Sequence, residues 1–487
     1  MRVLLINPPR ENEIIGNNPS IIEEERGHNP PLGLLYIAAY LEKHAEHDIT
    51  VIDAQVEGLD YESLTERIRS VNPDIAGLTA MTMTLIDVTK TIAIVKSINK
   101  NIRVVLGGPH VHLFPEETIN LANVDFLVLG EGEVVFREVL DNIDNLSGLK
   151  NIPGLVFNEN GKTVNTGIQP AIKELDSLPF PARRLVPFEK YTSLLAKGDV
   201  VTTIFTSRGC PFKCSFCDRP HLGKAFRARS AGNVVDEIEE CVHMGINEFL
   251  FYDDTFTVNK KRVLDICNEI VRRKLDIGWD IRARVDTVDE EILQHLKKAG
   301  CQGIHYGIEA GTEKILKVLN KGITISKARQ VFDLTRRYKI PVLAYFMIGS
   351  PTETKEDIYS TFEVMKSLKP DYVHMTILTP FPGTKIYLDG LKNGMIERDY
   401  WREFAENPTH DFIPPIWGET FTRGELNDLL IEGYRKFYIR PLYILKRAVK
   451  VRSINELKKK TIAGIKVIFM KFSANKNSKK DKSRHQE

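Results

Sequence analysis

Three cysteines, Cys210, Cys214 and Cys217, fall within the stretch TSRGCPFKCSFCDRP at 206–220. The C-x3-C-x2-C spacing puts three thiolates on one short loop, with Phe212 and Phe216 between them to exclude water. Three thiolates suffice for three corners of a cubane 4Fe–4S cluster and leave one iron without a protein ligand. A structural zinc site wants four closed ligands, usually as two separated pairs, and no second pair follows. His221 is the nearby candidate for a fourth ligand, but C-x3-C-x2-C-x3-H matches no familiar zinc pattern. A redox C-x-x-C at 214–217 would leave Cys210 unexplained. Cys241, Cys267 and Cys301 are scattered and read as buried thiols.

Strand–helix alternation must position this loop. From 200 to about 380, the runs VVTTIFTS, EFLFYDD, GWDIRAR, GIHYGIE, VLAYFMIG and YVHMTIL alternate with helical patterns. Six βα steps are fewer than the eight of a closed barrel, so a partial (β/α)6 barrel with a lateral opening is expected. The cysteine loop follows its first strand. The first 140 residues show a second alternation, with strand-like RVLLIN, DITVIDA, DIAGLTA, IRVVLGG and VDFLVLG. Near-continuous apolar strands between helices imply an α/β, doubly wound, Rossmann-like domain whose parallel sheet is covered on both faces. Ligands in such sheets bind beyond the carboxyl ends of the strands. No G-x-G-x-x-G follows the first strand, so a dinucleotide fingerprint is absent. The expected division is 1–140, a linker at 141–198, the barrel at 199–400, a helical extension at 401–440 and a basic amphipathic tail at 441–487. Within the linker, IPGLVFNENGKTVNTG reads as a hairpin turning at Asn160-Gly161.

The chain has 487 residues, 42% hydrophobic and 27% charged, ordinary values for a globular protein. The opening MRVLLINPPR is too short an apolar run for a secretory signal, and no stretch reaches the roughly 20 apolar residues of a membrane span. A cytoplasmic location is expected. The net charge of +2 hides an asymmetry: 17 basic and 3 acidic residues lie between Arg435 and Glu487, against 50 and 62 elsewhere. Contact with the anionic inner face of the membrane is one expectation for this tail, and a solvated tail is the other. Nucleic acid is not expected, because no RNA-binding module accompanies the charge.

A C-x3-C-x2-C loop after the first strand of a six-step partial barrel resembles the radical S-adenosylmethionine (SAM) superfamily. The resemblance implies that the open iron chelates the methionine end of SAM, which is then reductively cleaved to a 5′-deoxyadenosyl radical. It also implies contacts at the strand ends: Asp253 or Asp254 of FYDD for the SAM amino nitrogen, and Arg282 or Arg284 of RARVD for its carboxylate, a task suited to guanidinium. Glu309 of GIEAG resembles the ribose-binding carboxylate, Ile348 and Gly349 of FMIGSPTET the adenine motif, and LTPFPGT (378–384) the sixth-strand segment.

The N-terminal domain resembles the cobalamin-binding domain that precedes many radical SAM barrels. DAQVEG, Asp53 to Gly58, matches D-x-H-x-x-G with Gln55 where a histidine lower ligand would stand. An amide is a poor cobalt ligand, so cobalamin binding without histidine ligation is implied. Thr79 of GLTAMT, the pair Gly107-Gly108, and Gly130, Glu131 and Gly132 of GEGE are the other cobalamin candidates. Small residues there let the backbone approach a corrin closely. His110 and His112 read as solvated loop histidines. The combined resemblance implies a cobalamin-dependent radical SAM methyltransferase acting on an unactivated carbon of an apolar or lipid-like substrate. Its electron donor would be a flavodoxin or ferredoxin. The domain order and long C-terminal part also resemble the anaerobic magnesium-protoporphyrin monomethyl ester oxidative cyclase group, which implies ring formation as an alternative. A non-catalytic cobalamin or cluster sensor would need an output module, and a methylthiotransferase normally has a second cysteine set.

Overall fold

The computed structural model describes residues 1–16, 27–193, 198, 200–218 and 222–448. His221 and the tail beyond residue 448 lie outside the described residues.

The first sheet has seven strands: β1 (Arg2–Asn7), β2 (Asp48–Asp53), β3 (Ile75–Thr79), β4 (Arg103–Gly107), β5 (Phe126–Val128), β6 (Leu155–Glu159) and β7 (Lys162–Asn165), in the order β2-β1-β3-β4-β5-β6-β7. The first five are parallel. Successive side chains of a strand point to opposite faces. Val3 and Leu5 accordingly enter one apolar cluster, while Leu4 and Ile6 enter another on the opposite face. Two buried faces require the uninterrupted apolar run that the sequence carries.

One expectation is corrected here. The hairpin is not part of a linker: β6 pairs antiparallel with β5, Phe126 opposite Phe157, and extends the sheet. Leu155, Val156 and Phe157 are all buried, and alternate in direction like the strands beside them. The hairpin turns at Asn160 and Gly161, with φ of 49° and 78°. Two positive φ values are what a type I′ turn demands.

The second sheet is entirely parallel, in the order β15-β14-β13-β12-β11-β8, from β8 (Val201–Ile204), β11 (Glu248–Phe251), β12 (Gly278–Ala283), β13 (Cys301–Glu309), β14 (Val342–Ile348) and β15 (Tyr372–Ile377). The outer strands β8 and β15 do not pair, so the barrel is open. Ile304, Tyr306 and Ile308 of β13 are buried in the main apolar cluster. The alternate positions His305 and Gly307 are half-buried, on the opposite, inner face. Between β8 and β11, β9 (Ser207–Arg208) and β10 (Arg227–Ala228) form a small antiparallel pair that brackets the cysteine loop.

An edge strand leaves backbone groups unpaired. At β15 the helix Arg423–Tyr438 supplies the partners. The Tyr434 hydroxyl accepts from Met375 N–H and donates to its carbonyl, both at 2.9 Å, and Tyr438 does the same for Val373 at 2.9 and 2.8 Å. The helix Tyr400–Glu406 instead reaches the N-terminal domain: Phe404 joins one of its apolar clusters and Arg402 pairs with Glu117.

Candidate active site

The cysteine loop is held from several directions. Asp253, just beyond β11, accepts from Thr206 N–H and Oγ1 at 2.6 and 2.5 Å and from Ser207 N–H and Oγ at 3.2 and 2.6 Å. Arg262 adds a longer ion pair at 3.5 Å. On the far side, Ser215 donates its N–H to the Leu319 carbonyl at 2.9 Å and its hydroxyl to the Val318 carbonyl at 3.1 Å. Asn320 Nδ2 donates to the Lys213 carbonyl at 2.6 Å. These are long-range contacts that position the loop.

The donor set fits a three-cornered cluster. Cys210, Cys214 and Cys217 are all partly exposed on this loop, whereas Cys241, Cys267 and Cys301 are buried. Burial pushes Cys241 and Cys267 up to about 12 and Cys301 well above its ordinary range, so these three stay protonated and unsuited to metal. Among the described residues no three His, Cys, Asp or Glu side chains converge as a single-ion site requires. A larger cluster held at three corners needs no such convergence. Thr255 Oγ1 lies 3.9 Å from Cys210 Sγ, and Arg284 Nη1 donates toward Cys214 Sγ at 3.6 Å.

Several candidate SAM contacts turn out to be engaged elsewhere. Asp253 is fully buried and spends both oxygens on the cysteine loop, which leaves Asp254, half-buried beside it, as the acidic candidate at this strand end. Arg284 grips Asp286 with two nitrogens at 2.9 and 2.8 Å and donates to the Lys321 carbonyl at 2.5 Å. Arg282 makes no ion pair among the described residues; its guanidinium stacks 3.9 Å above the Tyr252 ring, whose hydroxyl accepts from Asn29 at 3.0 Å. Glu309 ends β13 with a φ of 74°, at a register shift, and pairs with Lys321 at 2.7 Å. A non-glycine residue held in the left-handed region is a frequent mark of a functional site. Ile348 is buried in the barrel core. Gly349 and the following Ser350 donate their N–H groups to Glu353 Oε2 at 2.6 and 2.9 Å, which shapes the loop after β14. Sequence reasoning missed Ser215, Asn320, Lys321 and Glu353; the only local signal was the polar NKG and PTE runs beside matched motifs.

The other cofactor candidates gather at the carboxyl edge of the first sheet. Asp53 accepts from Asn7 at 2.7 Å and Tyr191 at 2.6 Å, and Gln55 donates to the Pro8 carbonyl at 3.1 Å. Thr79 and Gly107 end adjacent strands and pair in register. Beyond Gly58, Gly107 and Gly130, the space a Cβ would occupy is open for 4 Å, the relief a flat corrin needs for close approach. Gly108 is different: its φ is 108° and a Cβ would stand 2.8 Å from the Ala80 carbonyl, so it serves the chain's own turn. At Gly132 a Cβ would instead stand 3.0 Å from the Ile37 side-chain end, so this glycine packs against the helix Leu32–His44. Glu131, the remaining cobalamin candidate of this loop, is buried against Arg208 and Arg227 of the barrel. Burial raises its carboxyl, but Arg208 and Arg227 more than offset that and hold it below its ordinary value. His110 is corrected: it is buried, not solvated, with Nδ1 on Thr82 Oγ1 at 3.0 Å and burial lowering its pKa to about 3.

A family model for the radical SAM superfamily matches residues 204–365, and one for the B12 binding domain matches 21–140. An uncharacterized methyltransferase of Pyrococcus horikoshii is 36% identical over 454 residues, covering 92% of this chain and 94% of its own. The anaerobic magnesium-protoporphyrin IX monomethyl ester cyclase of Rubrivivax gelatinosus is 30% identical over 453 residues, covering 91% of this chain and 78% of its own. In fold, the chain is similar to the cobalamin-dependent SAM radical enzyme OxsB, solved with aqua-cobalamin and SAM bound, with a TM-score of 0.73 at 18% identity over 96% of this chain and 72% of that one. A three-thiol loop thus sits in a barrel behind a B12-binding sheet, and the match extends over 94% and 78% of these two relatives' own lengths. The chain belongs to the cobalamin-dependent radical SAM enzymes, whose cofactors are a 4Fe–4S cluster, SAM and cobalamin.

Proposed function

We propose that this enzyme methylates an unactivated carbon of a small, largely apolar substrate. The observation that carries the reading is the contact between the two cofactor loops: Arg208, two residues before Cys210, pairs with Glu131 of GEGE at 2.8 Å. This contact supports a reading in which the two cofactors would face one another. When bound, the cluster with SAM supplies hydrogen abstraction, and the corrin supplies the methyl group. The chain's part is to bind and orient. Cys210, Cys214 and Cys217 hold the cluster; Arg282 and Asp254 serve the polar end of SAM; Glu309, fixed by Lys321, serves its ribose; and the Gly349 loop, fixed by Glu353, serves its adenine. The open glycine faces at 58, 107 and 130 seat the corrin.

The barrel lumen is not wholly apolar. His305 lies 3.2 Å from the Tyr345 hydroxyl and 3.5 Å from Asp280, and the ring of His374 packs edge-on against Tyr345. A substrate with a hydrogen-bonding group near its reacting carbon suits these walls. Cyclisation is the second reading, favoured by the 30% identity to the Rubrivivax gelatinosus cyclase. Anaerobic turnover with methyl-labelled SAM separates the two. Product heavier by one labelled methyl supports methylation, whereas loss of hydrogen or gain of oxygen supports the cyclase reading. Production of 5′-deoxyadenosine must vanish in Cys214→Ala.

The electron donor would be a flavodoxin or ferredoxin in the cytoplasm. Peripheral membrane contact rests on the helix Pro441–Ala448, where Leu442, Ile444 and Leu445 are exposed, and on the basic segment that follows in sequence. Among the described residues no helix is long and apolar enough to cross a membrane. Full-length protein should co-sediment with phosphatidylglycerol vesicles more than a chain ending at 448; equal binding rejects a role for the tail.

A further inference from the structure

The boundary between the two sheets carries a compact set of charges where an apolar contact would be ordinary. Arg208 Nη1 meets Glu131 Oε1 at 2.8 Å and its Nη2 meets Glu133 Oε1 at 2.6 Å. Arg227, across the small antiparallel pair from Arg208, meets Glu131 Oε2 at 2.9 Å. Ile172, in the segment joining the two sheets, donates its N–H to Glu131 Oε2 at 2.6 Å, and its carbonyl accepts from Arg227 at 2.6 Å. All four charged side chains are at most 10% exposed. The Arg208 guanidinium also lies 5.2 Å over the ring of Tyr36, from the N-terminal domain. Behind it stands a second buried set, Glu237 between Arg183 and Arg229.

Such a cluster adds little net stability, because desolvation offsets attraction. Its strength is geometric. A guanidinium fork meets two carboxylates along fixed directions, which an apolar patch does not require. The chain transmits that geometry at both ends. Only Gly209 separates Arg208 from Cys210; its φ is 81° and the Ala225 carbonyl stands against its Cβ position, so the path has little slack. On the other side, Glu131 sits between Gly130 and Gly132 of the corrin-facing loop.

We infer that Arg208, Glu131, Glu133 and Arg227 form a positioning latch that sets where the cluster loop stands relative to the corrin loop. In this role the four residues are positioning residues, spent on one another rather than on substrate. They act through the two loops, and the latch fixes the alignment that transfer between cofactors requires.

The test uses full-length protein reconstituted with iron, sulfide and cobalamin, reduced so that the corrin is cob(II)alamin. Pulsed electron paramagnetic resonance reads how strongly the reduced cluster speeds relaxation of the cobalt spin, an effect that depends steeply on their separation. Arg208→Gln with wild-type iron and corrin content should lose most of that enhancement. Arg208→Lys, which keeps a cation for one carboxylate, should recover part of it. A loaded Arg208→Gln protein that melts earlier yet keeps the full enhancement overturns the proposal, because the cluster would then be stability alone. Should Arg208→Gln fail to load, Glu133→Gln decides, since Arg208 keeps Glu131 there: reduced enhancement supports the latch and an unchanged value overturns it.

Discussion

Arg284 lies 3.9 Å over the ring of Phe212 and points Nη1 at the sulfur of Cys214, 3.6 Å away. A cation and a donor beside a cluster thiolate stabilise the extra negative charge of the reduced cluster. Arg284→Gln should lower the cluster's reduction potential by on the order of 60 mV, the one-electron equivalent of a tenfold change in equilibrium. Redox titration of the reconstituted protein reads this directly. An unchanged potential would remove Arg284 from the cluster's surroundings and return it to the candidates for SAM.

Asp253 is a clamp on the loop, so its loss should show first in iron retention. In Asp253→Asn one oxygen becomes an NH2 that confronts Arg262 and the hydroxyl donors of Thr206 and Ser207. Removing one partner from a buried charged network costs about 3 kcal/mol. Denaturant unfolding should record a loss of that order and reconstituted protein should hold less iron. A stable, fully loaded variant that binds SAM poorly would instead restore Asp253 as a direct ligand.

Glu353 makes the barrel's stability depend on pH. Burial raises its carboxyl from 4.5 to about 7, although two backbone N–H donors pull the other way. The folded chain therefore binds this proton more tightly than the unfolded chain does. Its stabilising contribution is complete below about pH 4.5 and is lost as pH rises through about 7. The shift corresponds to about 3 kcal/mol. Glu353→Gln keeps an acceptor for Gly349 and Ser350 and cannot ionise, so it should flatten this fall and be the more stable protein at pH 8. Unfolding curves from pH 5 to 8 check it; parallel curves for both proteins would refute the assignment.

The six thiols should divide into two groups of three under alkylation. In cluster-free native protein near pH 8, iodoacetamide should label Cys210, Cys214 and Cys217, which are partly exposed. Cys241, Cys267 and Cys301 are buried and protonated and should react only after unfolding. Peptide mass mapping gives the answer, and early labelling of Cys301 would contradict its placement in the core.

The chemistry of the cluster was legible because it is local: three cysteines within one loop have the same meaning wherever that loop lies. The strands were legible too, since buried parallel strands write themselves as apolar runs, and Asn160-Gly161 announces its turn through backbone sterics alone. Choices between neighbours were not legible. Asp253 and Asp254 are adjacent, yet Asp253 is taken by residues 47 and 46 positions earlier. Arg284 is taken by Asp286 and Lys321, while Arg282 is not. Glu131 reads as a turn residue until Arg208, 77 positions away, folds against it. The hairpin looked like a linker because nothing local says which edge it will join. Spacing along the chain determines which atoms a short loop can offer a metal. Partners distant in sequence meet only when the two sheets pack, and that packing decides which of the offered charges are spent on the fold.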